Sequence, residues 1–250
     1  MDKTLFQHRS IRKYLAKPIE EPLLSHILEA GTRASTTGNM QVYSMVVTSD
    51  AEIKARLWEA HFKQNMVKEA PVVITFCADF NRFNLWCHQR NAEPGYDNFL
   101  SFVTAAVDAL LVAQNVCVSA ESNGLGICYL GTTTYMAEKI IDILHLPVGV
   151  VPVTTVVMGY PEELSELNDR LPLDAVVHYE TYKAYSAEDI DKFYQQKENL
   201  PQTKELLELN KKDTLAQIFT DNRYKKSDNV LFSQHLLNVL HKQGFMNNEK

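Results

Sequence analysis

The stretch Phe102 to Glu121, FVTAAVDALLVAQNVCVSAE, constrains the fold more than any other part of the chain. Its apolar residues fall on nearly every side of a helix, which a helix tolerates only when covered all round, by its own core or by another subunit. A membrane span is the competing use of such a run, but Asp108, Gln114 and Asn115 interrupt it within Phe102 to Ala120. The expectation is a buried helix, with a dimer interface as one source of its cover.

Pro22 to Ala34 carries Leu23, Leu24, Ile27, Leu28 and Ala30 at helical spacing, with Pro22 suited to the first turn. The small polar residues of Ala34-Ser35-Thr36-Thr37-Gly38-Asn39 then predict a loop able to present donors to a ligand. Val42 to Thr48, Val72 to Cys77, Ile127 to Gly131 and Val150 to Met158 read as strands, the second a β-branched run that suits a buried position. Glu52 to Lys68 and Ala137 to Leu144 read as helices. Asp79 to Asn98 is polar and aromatic, with Pro94 and Gly95, and reads as a long excursion bordering a site, its tip free to move. Beyond Pro161, amphipathic helical stretches lie near Ala187 to Lys197, Asp213 to Thr220 and Asn229 to Lys242. With no repeat and no flexible linker, the expected organisation is one domain over 1–250, in which 162–250 is a C-terminal arm.

A chain of 250 residues can bury a sizeable core, and 45% hydrophobic with 22% charged residues is ordinary globular composition. Its net charge of -6 lacks the basic footprint of a nucleic-acid binder. The four cysteines, Cys77, Cys87, Cys117 and Cys128, form no CxxC pair and have no histidine at zinc-site spacing, so no metal is expected. The opening MDKTLFQHRS is charged at Asp2, Lys3, His8 and Arg9, which leaves no apolar signal core and predicts a cytoplasmic address.

The densest polar cluster is His8-Arg9-Ser10-Ile11-Arg12. Two guanidinium forks and a hydroxyl within five residues suit an anion such as a phosphate. A solvated basic N-terminus is the other reading of the same spacing. The chain has neither GxGxxG nor GxxxxGK[ST], and no GxSxG or HExxH, which removes most support for Rossmann, P-loop, hydrolase and metalloenzyme readings.

HRSIRKY from His8 to Tyr14 resembles the opening motif of the nitroreductase-like FMN flavoproteins, and four further stretches agree with it in order. Ser35 to Gln41 is similar to the family's small-residue loop beneath the flavin, and Phe76-Cys77-Ala78-Asp79-Phe80-Asn81-Arg82 to its strand and turn. Gly124-Leu125-Gly126 through Leu130-Gly131 resembles the strand under the flavin ring, and Leu144 to Pro161 the strand after it. Asp169-Arg170-Leu171-Pro172 falls where the larger, NADPH-preferring subgroup of oxygen-insensitive nitroreductases and flavin reductases has a phosphate-binding arginine. Lys212-Asp213-Thr214 and Lys242-Gln243-Gly244-Phe245 also look like that subgroup, so the resemblance covers almost the whole chain.

The resemblance implies an α+β fold, a three-layer sandwich with a mainly antiparallel central sheet flanked by helices. It also implies an intertwined homodimer with one FMN in each interface groove. By similarity, His8, Arg9, Ser10 and Arg170 would hold the FMN phosphate, with Asn168 beside them. Arg12 and Gln64 would sit near the N1 and C2 carbonyl edge, where a cation meets the charge that two-electron reduction places on the ring. Ser35, Thr36, Thr37 and Asn39 would contact ribityl hydroxyls or the ring edge. Tyr129, Leu130 and Gly131 would underlie the ring, with the Gly131 N–H toward N5; a glycine that merely ends a strand is the alternative reading of that position.

Three positions depart from the subgroup: Thr132 stands where a second glycine is common, Asn168 where a lysine is frequent, and Lys211-Lys212 where an arginine pair is. Lys211 and Lys212 would attract the 2′-phosphate of NADPH less specifically than arginine forks, which leaves NADPH against NADH open. The implied activity is ping-pong, two-electron reduction of nitroaromatics, quinones or free flavins, with no side-chain catalyst. A flavin-binding or sensing module with little turnover is the rival, as is a reductase for one dedicated substrate whose pocket Phe83, Trp86, Tyr96 and Phe99 would shape.

Overall fold

Val72–Asp79 carries a β-branched, uncharged run as far as Ala78, and every residue of it is buried. A strand with no solvated face has to lie inside a sheet and between two layers. In the computed structural model, which describes residues 2–248, it does both; Met1 and residues 249–250, part of the expected 1–250 span, lie outside the described residues.

In chain order the first helices and strands are α1 (Asp2–Phe6), α2 (Glu21–Thr32), β1 (Tyr43–Thr48), α3 (Ala51–Ala60), α4 (Met66–Glu69), β2 (Val72–Asp79) and α5 (Asn81–Gln89). There follow α6 (Phe99–Ser122), β3 (Gly126–Leu130), α7 (Ala137–Leu144), β4 (Val150–Gly159), α8 (Ala187–Glu198), α9 (Pro201–Asn210), α10 (Leu215–Gln217) and α11 (Lys226–Lys242). By Cα packing the chain falls into two compact units, one running to Glu166 and resuming at Phe232, the other Leu167–Leu231.

The sheet belongs to the first unit and has the order β1-β2-β4-β3, antiparallel at every pairing. Its pleat sends Val72, Ile74, Phe76, Val156 and Met158 into a core with residues of α2 and α6. The alternate residues Val73, Val157, Cys128 and Leu130 enter a second core with residues of α3, α4 and α7. This is the expected α+β sandwich of a sheet between helical layers. Outside β3 runs the N-terminal segment, so close that a Cβ on Gly126 would lie 2.5 Å from the Ile11 side chain.

Four expectations need correction. First, α6 starts at Phe99, where Asn98 caps it by accepting the Ser101 N–H. It is long and apolar enough to cross a membrane, yet nine of its residues, Asp108 among them, are buried in this unit. It is not covered all round by its own chain, because Val103, Val107, Leu110 and Leu111 are exposed on one side. Second, the helix predicted from Glu52 to Lys68 is broken between α3 and α4, where Phe62 and Lys63 adopt left-handed φ of 54° and 59°. The buried His61 is the C-cap of α3, and its ring contacts Thr132.

Third, the excursion Asp79 to Asn98 opens with the helix α5, Asn81–Gln89. Phe80, Phe83 and Tyr96 pack on one another, with the Phe80 and Tyr96 rings stacked at 5.0 Å. Phe83 and Tyr96 therefore join a core cluster, leaving Trp86 and Phe99 as the exposed members of the predicted pocket wall. Fourth, the later segment contains α9, which the charged sequence PQTKELLELN concealed. The predicted helix Asp213 to Thr220 is the short α10 continued by a π-helical turn, Ile218–Arg223.

Candidate functional site

Extended backbone carries the N-terminal cluster along the open edge of β3. Ser10 forms a parallel bridge to Ile127, and the Ile11 N–H donates to the Ile127 carbonyl at 2.9 Å. Successive side chains of such a segment face opposite ways. Ile11 is buried, and Arg9 borders the same surface hollow, its guanidinium donating to the carbonyls of Ser165 at 2.9 Å and Gln7 at 3.4 Å. The Ser165 hydroxyl in turn donates to the Ser10 carbonyl at 3.0 Å. Ser10 and Arg12 approach Cys128 instead. Burial pushes that thiol's pKa up, against the smaller opposing effects of the Arg12 charge and the Ser10 hydrogen bond. The Arg12 guanidinium is exposed and has no hydrogen-bond or ion-pair partner among the described residues. His8 Nδ1 lies 2.8 Å from a carboxylate oxygen of Glu121, near the end of α6.

The loop Ser35 to Gln41 is held by two clamps. From α6, the buried Asp108 accepts the Thr37 N–H at 2.9 Å and the Val42 N–H at 3.4 Å. From α5, Arg82 donates to the carbonyls of Gln41 at 2.6 Å and Tyr43 at 3.0 Å. Asp79 completes the second clamp by accepting the Ser44 hydroxyl and the Arg82 N–H. Between the clamps Gly38, Asn39 and Gln41 have φ near 55°, a conformation that costs L-residues roughly 1–2 kcal/mol each. Ser35, Thr37 and Asn39 are exposed and Thr36 is half-buried.

β3 ends on a bare ledge. Gly131 is exposed, and a Cβ built on it would meet no protein atom within 4 Å. Before it, Leu130 is buried, and the Tyr129 hydroxyl donates to Gln114 at 3.3 Å with its pKa raised, chiefly by burial. After it, the Thr132 hydroxyl oxygen lies 2.8 Å from His61 Nδ1 and 3.5 Å from the Gln64 amide nitrogen, which also donates to the His61 carbonyl at 3.0 Å. His61 is fully buried, burial lowers its pKa to about 4, and its Nε2 has no partner among the described residues. The ring is therefore neutral at pH 7.

In the second unit, Asn168 and Arg170 are exposed, and the Arg170 guanidinium donates to the carbonyls of Asp169 at 2.9 Å and Asn168 at 3.4 Å. Lys211 is exposed at the left-handed end of α9, and Lys212 pairs with Asp221 at 2.7 Å.

The sheet register decides which of these groups one chain brings together. Ser10 bridges Ile127 and the Ile11 N–H donates to it, so the segment leading to Arg12 runs beside β3, whose end precedes Gly131, and Gln64 lies 3.5 Å from Thr132 just beyond it. The loop Ser35 to Gln41 leads into Tyr43, which pairs with Ala78 and through it aligns with Val151. Ser10 bridges Ile127, which pairs with Met158 and through it aligns with Val72. The two segments thus stand at diagonally opposite corners, roughly 20 Å or more apart at strand spacings of about 4.8 Å. One chain does not place both on one small ligand.

Sequence reasoning missed His61, Asp108, Arg82 and Glu121 as contributors. Asp108 stood out only as an interruption in an apolar run, and Thr132 only as a departure from the family pattern. His61 was hidden inside a helix predicted to be continuous.

The comparisons with known proteins agree with this architecture. Residues 5–160 match the model of the nitroreductase family. Over 97% of this chain and 96% of its own length, the FMN reductase [NAD(P)H] of Bacillus subtilis (strain 168) is 31% identical. Among solved structures, a Bacteroides fragilis NCTC 9343 protein provisionally described as an oxidoreductase superposes with TM-score 0.97 at 57% identity, covering 99% of this chain and 100% of that one. The NADPH:FMN oxidoreductase of Vibrio harveyi, solved with NAD+, gives a TM-score of 0.83 at 28% identity over 99% of each chain. The bare ledge at Gly131, the unpaired Arg12 and the clamped small-residue loop are thus set in a chain that belongs to the nitroreductase family.

Proposed function

We propose that this chain is an FMN-dependent NAD(P)H oxidoreductase that works as a homodimer and passes electron pairs to nitroaromatics, quinones or free flavins. The observation that carries the reading is the ledge at Gly131, where backbone is exposed, no side chain intrudes, and the free Arg12 guanidinium shares the edge. A flat ring can rest only where no Cβ stands in its way. Past Gly131 the amide of Gln64 lies 3.5 Å from Thr132, and the buried His61 Nε2 has no partner among the described residues. These residues fit FMN.

When bound, FMN supplies the atom that takes hydride from the reduced nicotinamide and returns it to the acceptor. The chain's own part is to bind and orient. We assign His8, Arg9, Ser10 and Arg170 to the phosphate with Asn168 beside them, and Arg12 and Gln64 to the N1 edge, where fixed positive charge meets charge that develops on reduction. Tyr129, Leu130 and Gly131 underlie the ring. Ser35, Thr36, Thr37 and Asn39 serve the ring bound to a second copy, because the corner-to-corner separation keeps them from the cluster of their own chain. The exposed Val103, Val107, Leu110 and Leu111 on α6 supply an apolar surface for that copy. Lys211 and Lys212 are assigned to the 2′-phosphate of NADPH, with NADH as the alternative donor. Four free, buried thiols suit a reducing compartment, and a cytoplasmic address belongs to the proposal.

Anaerobic stopped-flow tests the reading. FMN-loaded protein mixed with NADPH or NADH should bleach faster than the seconds timescale and recover its colour on addition of a quinone. Slow bleaching without acceptor-driven recovery would identify a binding module instead.

A further inference from the structure

A hollow of about 370 Å³ lies in the first unit, lined by residues of α5, of the turn before β4 and of the segment that follows α11. Asn84 of α5 and Gln243, directly after α11, both line it. Each has a side-chain carbonyl oxygen, Asn84 Oδ1 and Gln243 Oε1, that is buried without a hydrogen-bond partner among the described residues. Gln243 is only 8% exposed. Its stretch, Lys242 to Phe245, takes no part in the flavin assignments.

Buried acceptors are nearly always paired, and leaving two unpaired at one place costs stability with no return inside the protein. Asp97 adds negative charge to the same lining. Its Oδ2 accepts the Asn247 amide at 2.9 Å, while Oδ1 has no partner among the described residues. The amide donors on the lining are spent, that of Asn247 on Asp97 and that of Asn81 on the Val148 carbonyl at 3.0 Å. Neither lysine nor arginine lines the hollow among the described residues, and His88 is exposed. Tyr96 also lines it, its ring held by stacking on Phe80 at 5.0 Å, and aromatic rings attract cations. The surplus is therefore of acceptors and negative charge, which calls for a ligand that brings donors and positive charge.

Size narrows the class. A single water needs only about 10–15 Å³ of such space, so the hollow has room for a molecule of several heavy atoms. A metal dication fits less well, because Asp97 is the one carboxylate on the lining and no group of three or more His, Cys, Asp or Glu that could hold a metal occurs among the described residues. We propose that this hollow binds a small organic cation, an ammonium or guanidinium compound, whose N–H groups pair with Asn84 Oδ1, Gln243 Oε1 and Asp97. It shares no residue with the flavin assignments and is a second site on the chain.

Calorimetric titration of the FMN-supplied protein with agmatine tests this. The wild type should bind agmatine, and should bind the neutral pentan-1-ol about tenfold more weakly or worse. Gln243→Met keeps the side-chain length and removes the amide oxygen, and Asp97→Asn removes the charge. Each should lose about tenfold or more in agmatine affinity, the size expected for a charge-assisted hydrogen bond. Asp97 is half-buried, so Asp97→Asn reads the site even where Gln243→Met does not fold. Absence of agmatine binding to the wild type, equal affinity in Asp97→Asn, or heat from calcium chloride in place of agmatine overturns the proposal.

Discussion

The carboxylate of Asp108, midway along the apolar α6, accepts the backbone N–H of Thr37 at 2.9 Å. Its second oxygen takes the Val42 N–H at 3.4 Å, and the residue is 1% exposed. One buried side chain thus ties the central helix to the loop that enters β1. Asp108→Ala would leave both N–H groups without their acceptor, and the expected loss is about 2–3 kcal/mol, or roughly 5–10 °C in Tm for a chain of this size. Asp108→Asn, which keeps one acceptor oxygen, should lose about half as much. Thermal melts followed by circular dichroism check this, and an unchanged Tm in Asp108→Ala would show that the clamp contributes nothing.

His61 makes stability depend on pH in a defined direction. Burial lowers its pKa from 6.5 to about 4. Between those values the unfolded chain binds the proton and the folded chain does not, so stability is whole above pH 6.5 and falls as the pH drops toward 4. The full difference is about 3 kcal/mol. Urea midpoints of wild type and His61→Gln, compared across that window, should diverge, with the variant losing less on acidification. Parallel curves would contradict the account.

Arg12 and Arg9 are predicted to differ although both belong to one motif. Arg12 has a free guanidinium, whereas Arg9 donates to the Ser165 and Gln7 carbonyls. Loss of a charge-assisted hydrogen bond costs about 1.5–3 kcal/mol, so Arg12→Gln should weaken FMN binding roughly 10–100-fold. Arg9→Gln, acting in part through the Ser165 tether, should weaken it less. FMN fluorescence titrations of the two variants decide the order, and equal effects would count against the separation of roles.

The exposed stripe on α6 should be an interface between copies. Leu111 is 44% exposed and Val107 47%. Leu111→Glu places a charge where association would have to desolvate it, a penalty of several kcal/mol. Light scattering should find a wild-type dimer and a variant monomer with reduced FMN loading, because the loop from the second copy is lost. A wild-type monomer that binds FMN fully would refute this.

Legibility in the sequence followed the range of the interactions involved. β2 and β4 were readable because β-branched, uncharged runs have few other uses, and α7 because its apolar spacing is regular. The break at Phe62 was not, since nothing local marks it; it coincides with a contact from His61 to Thr132, 71 residues away. The excursion after Asp79 was misread for a related reason, as Phe80, Phe83 and Tyr96 satisfy one another in space and not in sequence order. At the site, His8 to Arg12 and Gly131 were visible as motifs. The residues that support the site, Glu121 at His8, His61 at Thr132 and Asp108 at the Thr37 loop, are polar residues inside apolar or helical segments, where composition alone reads them as exceptions.

Gly131→Ala separates a flavin ledge from a plain strand end, because the new methyl group would meet no protein atom within 4 Å and the backbone there is not left-handed. Titrating FMN into wild type and variant, with Tm recorded for each flavin-free protein, should show equal thermal stability but a loss of FMN affinity of tenfold or more. Equal FMN affinity in the two proteins would mean that the glycine only ends a strand and that no ring lies against it.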